Sequence, residues 1–99
     1  MSHKQRYAAR TDENQSAIVS ELRSMGISVV VGMDDILCGW RGRTYWYEIK
    51  NYNNLFMADG VTFRKGVIKP SQSKIRATYQ GHYIIAWSTE MILKDMGIV

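Results

Sequence analysis

Apolar residues between positions 11 and 25 recur at the spacing of an amphipathic helix. Ile18, Leu22 and Met25 fall on one face of such a helix, and most positions between them are polar. Gly26 follows at the point where a glycine commonly ends a helix. The pattern therefore predicts a first helix over residues 11–25.

The next three apolar runs have the composition of β-strands. Residues 27–33 are apolar and rich in valine, residues 35–40 form a second run, and residues 43–51 are rich in tyrosine and tryptophan. Arg41 and Gly42 separate the last two runs with a turn signal. We therefore predict three strands, of which the second and third form an antiparallel hairpin.

The remainder of the chain is predicted to hold a helix, a strand and a last helix. Residues 52–69 show no period, and a short hairpin over 61–68 is the one regular element that we expect there. A helix over 70–80 begins at a proline, residues 82–87 form an apolar strand, and Ser88 caps the last helix. The order helix, three strands, helix, strand, helix predicts an α/β domain with a mixed sheet flanked by helices.

The chain length and the net charge limit the number of domains and the kind of partner. The 99 residues suffice for one domain, which we place at residues 11–99 after a flexible basic arm at residues 1–10. Lysine and arginine total 13 against 9 acids, for a net charge of +4. This balance suits an anionic partner such as nucleic acid about as well as it suits a basic surface that keeps the protein soluble. A domain of this size has a thin core, so a homodimer or higher homo-oligomer would help its stability.

The cysteine content and the lengths of the apolar runs indicate the cellular compartment. The single cysteine, Cys38, excludes an internal disulfide and suits a reducing cytoplasm. No apolar run approaches the roughly 20 residues that a membrane-spanning helix needs, and the polar N-terminus shows no signal-peptide pattern. We therefore expect a cytoplasmic protein without a membrane partner.

Three residues of the predicted hairpin suggest metal-assisted chemistry. Asp35 opens the second strand, while Glu48 and Lys50 lie two residues apart on the third and so share a face. The separation lets the two carboxylates meet across the hairpin. Together with the carbonyl of Ile49 they offer the oxygen ligands that Mg²⁺ prefers, and Lys50 could assist the attacking water. The alternative is a turn aspartate and an ordinary solvated Glu/Lys pair.

Other polar residues could join such a site from the helices. Glu21 lies beside the apolar face of the first helix, where Glu13 and Gln15 are further candidates, although a solvated helix residue is the simpler interpretation. Gln72 lies in the first turn of the second helix with Lys74 beyond it, an arrangement that suits phosphate binding or a plain helix cap. We interpret His82, at a strand start, as structural or exposed.

Taken in order, these segments resemble the PD-(D/E)xK nuclease superfamily, and within it the small phage-type VRR-NUC-like nucleases. The family helix Asn-Gln-x-x-Ile-Val-x-x-Leu-Arg-x-x-Gly corresponds to residues 14–26. The family's Gly-x-Pro-Asp followed by an apolar run corresponds to residues 32–37, its Glu-x-Lys to residues 48–50, and its Pro-x-Gln helix start to residues 70–72. Two positions depart from the family: Asp34 replaces the proline, and Gln15 stands where many relatives have a glutamate.

The resemblance implies a restriction-endonuclease-like fold and a metal-dependent DNA nuclease. Asp35, Glu48 and Lys50 would form the catalytic core, with Gln72 in support. Asp35, Glu48 and the carbonyl of Ile49 would bind Mg²⁺, for which Mn²⁺ could substitute. The DNA backbone would be contacted by four residues of the second half: Arg64, Lys69, Gln72 and Lys74.

The sequence leaves two other functions open. One is a non-catalytic DNA-binding or assembly protein that keeps the nuclease fold, which the two departures favour and the intact Asp35, Glu48 and Lys50 oppose. The other is a junction-resolving enzyme, which would require a symmetric dimer. Under any of the three, the chain would act in the cytoplasm of a bacterium or of a phage-infected host.

Overall fold

The computed structural model describes residues 3–99, with side chains from residue 14 onward. The predicted element order is confirmed, with one 3₁₀ turn (Tyr52–Asn54) added. The elements are α1 (His3–Ser24), β1 (Ser28–Val31), β2 (Asp35–Trp40), β3 (Arg43–Ile49), α2 (Pro70–Thr78), β4 (Ile84–Ala86) and α3 (Thr89–Asp95). Over the described residues, no helix is long and apolar enough to cross a membrane.

Two segments differ from the prediction. The structure continues α1 back to His3, where the sequence predicted a loose arm; no glycine or proline interrupts this stretch, and residues such as lysine, arginine and alanine favour a helix. The hairpin predicted over residues 61–68 is wrong. The segment instead forms an isolated bridge between Phe56 and Phe63.

The four strands form one mixed sheet in the order β1-β2-β3-β4. The first three strands are antiparallel neighbours, and β4 is parallel to β3 because the chain crosses over through α2. The β2–β3 connection is a two-residue turn in which Arg41 (φ 51°) and Gly42 (φ 79°) both adopt left-handed conformations. Such turns match the twist of the paired strands, so the local sequence fixes the hairpin register.

One face of the sheet packs against α1 and α3. Because strand side chains alternate, Ile36 and Cys38 of β2 lie on this face together with Tyr47 and Ile49 of β3. The helices contribute the other main members of the core: Ile18, Val19, Leu22, Ile92, Leu93 and Met96. Burial raises the pKa of the Cys38 thiol to about 11, so it stays protonated near neutral pH.

The opposite face is only partly covered. Gln72 of α2 and Tyr83 lie against Glu48 of β3 on this face. Val30 of β1 and Leu37 of β2, in contrast, are paired across the strands and exposed to solvent. The two predicted acids, Asp35 and Glu48, lie on this second face, where β2 begins and β3 ends.

Candidate active site

The register of the hairpin places Asp35 directly opposite Glu48. Residues opposite each other in antiparallel strands project from the same face, with Cβ atoms about 5 Å apart. The neighbouring pair, Ile36 and Tyr47, points into the core, so both acids lie on the other face. The predicted meeting of the two carboxylate-bearing positions across the hairpin is confirmed.

Glu48 is a buried carboxylate with both oxygens engaged. The Gln72 Nε2 donates to its Oε2 at 2.9 Å, and the Tyr83 hydroxyl donates to its Oε1 at 2.8 Å. Burial raises the pKa of Glu48, the Tyr83 hydrogen bond and the charge of Lys50 oppose that shift, and the charges of Asp34 and Asp35 add to it. A second negative charge beside a buried carboxylate is an environment that a cation stabilises.

Asp35 is held from two sides. Its Oδ2 accepts a hydrogen bond of 2.8 Å from the Trp46 indole, and its main-chain carbonyl accepts one of 3.0 Å from Gln15 of α1. The other carboxylate oxygen, Oδ1, lies against Gly32, where an added Cβ would approach it to 2.1 Å. Gly32 therefore makes the room in which the Asp35 carboxylate sits.

Lys50 follows β3, and hydrogen bonds hold its main-chain amide and carbonyl. Its amide donates to the Ala86 carbonyl at 2.9 Å, and its carbonyl accepts from the Asn14 side chain at 3.1 Å. Burial lowers the pKa of Lys50, while the charges of Glu48 and Asp34 oppose that shift. A half-buried lysine with a lowered pKa releases its proton more readily, which suits a group that exchanges protons with water.

Ile49 contributes its side chain to the core and its main chain to the site edge. It is 7% exposed, and its amide donates to the Asp34 carbonyl at 2.8 Å. The role predicted for its carbonyl, as a metal ligand, stays a prediction. Over the described residues, no group of three or more His, Cys, Asp or Glu side chains is placed to hold a metal ion. The donor set here is smaller, two carboxylates and a carbonyl, and it consists of the hard oxygens that suit Mg²⁺.

The first turn of α2 brings Gln72 to the site. Its Oε1 accepts the amide of Lys69, the N-cap residue of α2, at 2.9 Å, and its Nε2 donates to Glu48. Lys69 itself reaches Asp34, with 3.4 Å between Nζ and Oδ2. Because Gln72 is 6% exposed and both ends of its amide are engaged, the geometry supports a role in positioning Glu48 and does not suit the DNA contact predicted for it.

The remaining predicted residues lie farther out. Arg64 and Lys74 are exposed, and Arg64 is anchored through its amide to the Leu55 carbonyl. Glu21 accepts a hydrogen bond from the Thr89 hydroxyl of α3, so this acid is engaged with the helical layer instead of with Asp35. The side chain of Glu13 lies outside the described residues.

His82 is structural, as predicted. Its Nδ1 accepts the Trp46 amide at 3.0 Å, and its Nε2 lies 2.6 Å from an Asp95 carboxylate oxygen. These contacts join the start of β4 to β3 and to the end of α3. His82 therefore helps to hold α3 against the sheet.

Sequence reasoning missed two partners of the acids, Tyr83 and Trp46. Ile85 pairs with Glu48, and Tyr83 precedes Ile85 by two residues on the same face, so an alternation argument applied to β4 would have found it. Trp46 shares the face of Glu48 by the same rule. The signal was present in both cases, but it needed the parallel pairing of β3 with β4 or the hairpin register.

No protein-family model, no curated protein and no solved structure matches this chain. The fold and site define an α/β protein with a mixed four-stranded sheet and a pair of acids at one sheet edge. Membership of the PD-(D/E)xK superfamily stays a prediction from the sequence motifs.

Proposed function

We propose that this protein is a Mg²⁺-dependent DNA endonuclease that hydrolyses phosphodiester bonds. The observation that supports this most is the direct pairing of Asp35 with Glu48 across the β2–β3 hairpin, with Lys50 following on the same strand. Two acids and a lysine with a lowered pKa, brought together at one sheet edge, supply metal ligands and a proton-transfer group.

Each residue has a distinct role in the proposed reaction. Asp35, Glu48 and the Ile49 carbonyl would hold the Mg²⁺, which when bound supplies Lewis-acid activation of the phosphate and of water. Lys50 would take a proton from the attacking water or stabilise the charge that develops on the phosphate. Gln72 and Tyr83 would fix the Glu48 carboxylate, since each donates to one of its oxygens.

The positive charge of the chain supports an anionic substrate. Lys69 lies close to Asp34 at the site, and Arg64 and Lys74 are exposed, so these three cations remain the proposed contacts to the DNA backbone. Such contacts provide affinity without sequence information. Proposed assembly into a homodimer would allow two such sites to act on paired strands.

One observation favours a second function, a non-catalytic DNA-binding or assembly protein. Both oxygens of Glu48 already accept hydrogen bonds within the protein. A carboxylate oxygen has two lone pairs, so these bonds leave capacity for a metal, but they also satisfy the acid without one.

The test is cleavage of labelled linear, nicked, single-stranded and four-way-junction DNA in Mg²⁺, Mn²⁺ or EDTA. We expect metal-dependent cutting by the parent and none by Glu48→Gln. Glu90→Gln, the same change at an exposed position of α3, is the matched control and should cut as the parent does. Binding of DNA without cutting in either metal would contradict the nuclease and favour the second function.

The proposed dimer has its own test. Light scattering at micromolar concentration should report about twice the 11.4 kDa of one chain. A monomer mass alone would contradict the dimer and, with it, the junction-resolving alternative.

A further inference from the structure

Aromatic residues of the segment 52–69, which shows no period in the sequence, form a cluster with Trp87. Tyr52, Phe56, Phe63 and Trp87, which we call the aromatic patch, lie ring against ring. The Phe56 ring stacks on Phe63 at 5.2 Å between centroids and meets Trp87 edge-on at 5.3 Å. The Tyr52 ring lies 5.8 Å from Phe56 and 5.6 Å from Trp87. The patch thus joins the segment after β3 to the residue that follows β4.

This patch is not a closed core. Tyr52 is 53% exposed, and the other three rings are only half-buried. Leu55, at 1% exposure, is the residue of the segment that packs fully inward. Aromatic faces that are rigidly held and open to solvent are the usual platform on which unpaired bases stack.

Positively charged side chains lie beside Phe63, at one side of the patch. The Arg76 guanidinium lies over the Phe63 ring at 5.0 Å, and Arg64 and Lys65 follow Phe63 as exposed residues. Residues 52–69 contain three cations and one acid, Asp59. The Thr62 hydroxyl donates a hydrogen bond to the Asp59 carboxylate, as do the amides of Thr62 and Val61, and these bonds lower the pKa of Asp59 to about 2. The acid is thus engaged in its own turn.

The patch lies at the same edge of the sheet as the paired acids. The Lys50 amide bonds to the carbonyl of Ala86, the residue immediately before Trp87. Tyr52 follows Lys50 by two residues along the chain. Because β3 and β4 are parallel, both strands deliver their carboxyl ends, and hence Lys50 and Trp87, to this edge.

We propose that the aromatic patch is a stacking site for unpaired bases, and that it selects DNA with a single-stranded portion at the active site. This substrate class rests on the proposed nuclease function. A strand whose bases stack on Tyr52 and Trp87 would bring a neighbouring phosphate toward Lys50, while Arg64 and Lys65 would contact the backbone. The combination of open rings and cations favours nucleic acid over an apolar protein surface.

Binding without metal tests the patch separately from cleavage. In EDTA, a labelled oligothymidine should bind the parent more tightly than an abasic strand of equal length and charge. Tyr52→Ala should weaken oligothymidine binding about 5- to 150-fold, the equivalent of about 1–3 kcal/mol per stacked base, and should leave abasic binding nearly unchanged. Tyr52→Phe, which keeps the ring, should bind as the parent does, and an unchanged melting temperature would show that Tyr52→Ala is folded.

Fluorescence supplies a direct second readout. A stacked base should quench Trp87, so oligothymidine should lower the emission of the parent. In Trp87→Phe, which keeps an aromatic ring, binding should persist while the quenching is largely lost.

Equal affinity of the parent for oligothymidine and the abasic strand would overturn this inference, as would full affinity in Tyr52→Ala. Neither result would touch the nuclease proposal, which fails only if no DNA form is cut in Mg²⁺ or Mn²⁺. Conversely, base-dependent binding without cutting would retain a stacking surface and remove its role in substrate selection for hydrolysis.

Discussion

Two tyrosine–carboxylate pairs lie on opposite faces of the same sheet. On the helix-covered face, the Tyr47 hydroxyl donates to Asp95 at 2.6 Å. On the other face, the Tyr83 hydroxyl donates to Glu48 at 2.8 Å. In both pairs, burial is the main cause that raises the tyrosine pKa, and the hydrogen bond to the carboxylate adds to it. The pairs are therefore alike in their immediate chemistry.

What surrounds each carboxylate differs. Asp95 is partly exposed and faces His82, so its contacts tie α3 to the sheet. Glu48 is buried and faces a second acid, Asp35, with Lys50 nearby. The comparison teaches that a buried tyrosine–carboxylate bond alone does not indicate a site. A site is indicated where further charged groups lie around the same bond, as Asp35 and Lys50 do around the Tyr83–Glu48 bond.

The largest expected effect is the difference in cleavage rate between variants of the two carboxylates, Glu48 and Asp95. Glu48→Gln removes a proposed metal ligand, and its cost in cleavage should exceed the roughly 10- to 100-fold that changes around metal ligands produce. Asp95→Asn should leave the cleavage rate near that of the parent and lower the free energy of unfolding by about 1 kcal/mol. Cleavage assays and urea unfolding of both variants check this. Equal loss of cleavage in the two would mean that the comparison does not distinguish site from scaffold.

A glycine pair tests the position of Asp35. Gly32→Ala places a Cβ 2.1 Å from the Asp35 Oδ1, so the carboxylate must move, and a displacement of about 1 Å can cost on the order of 100-fold in rate. Gly39→Ala, on β2 with Asp35, meets only the Ser28 Cβ at 3.6 Å, an ordinary contact. We expect strongly reduced cleavage in the first and near-normal cleavage in the second. Normal cleavage by a folded Gly32→Ala would remove Asp35 from the site.

The tyrosines themselves give a smaller effect. Tyr83→Phe removes a hydrogen bond that orients Glu48, and it should weaken Mg²⁺ affinity about 10- to 100-fold, measured as the metal concentration for half-maximal cleavage. Tyr47→Phe should leave that concentration unchanged while costing about 1 kcal/mol of stability. An equal shift of metal dependence in both variants would contradict a specific link between Tyr83 and the metal.

The sequence predicted those parts of the fold that depend on local signals. The bounds of β2 match the prediction because an acid and a glycine turn bracket one apolar run. From that hairpin followed the pairing of Asp35 with Glu48. The start of α1 was missed because polar helix-forming residues without a break look like an arm when no apolar period marks them.

The other misses have a long-range cause. The Tyr83–Glu48 bond depends on the parallel register of β3 with β4, which the crossover sets and no local pattern encodes. The packing of Phe56 against Trp87 likewise joins residues distant in sequence. Such contacts follow from the tertiary fold, so residues 52–69 looked irregular in the sequence.

The smallest effect is the pH dependence of stability. Burial raises the folded-state pKa of Glu48 above its ordinary value of 4.5, so the folded state retains this proton at pH values where the unfolded chain has released it. The acid therefore costs no stability below about pH 4.5, and the cost develops as the pH rises from there through the folded-state pKa. Glu48→Gln does not titrate, and its melting temperature should gain on that of the parent over this range.

Mg²⁺ should raise the melting temperature of the parent but not that of Glu48→Gln, and so cancel the advantage of the variant. A cation bound at the paired acids favours the ionised Glu48, and ligand at 100 times its dissociation constant adds about 2.7 kcal/mol to the folded state. Melting curves of both proteins at acidic and neutral pH, with and without Mg²⁺, measure the two contributions together. A Mg²⁺-induced rise of equal size in Glu48→Gln would place the metal away from the Asp35–Glu48 pair, because a neutral amide at position 48 removes one of the two charges that attract the ion.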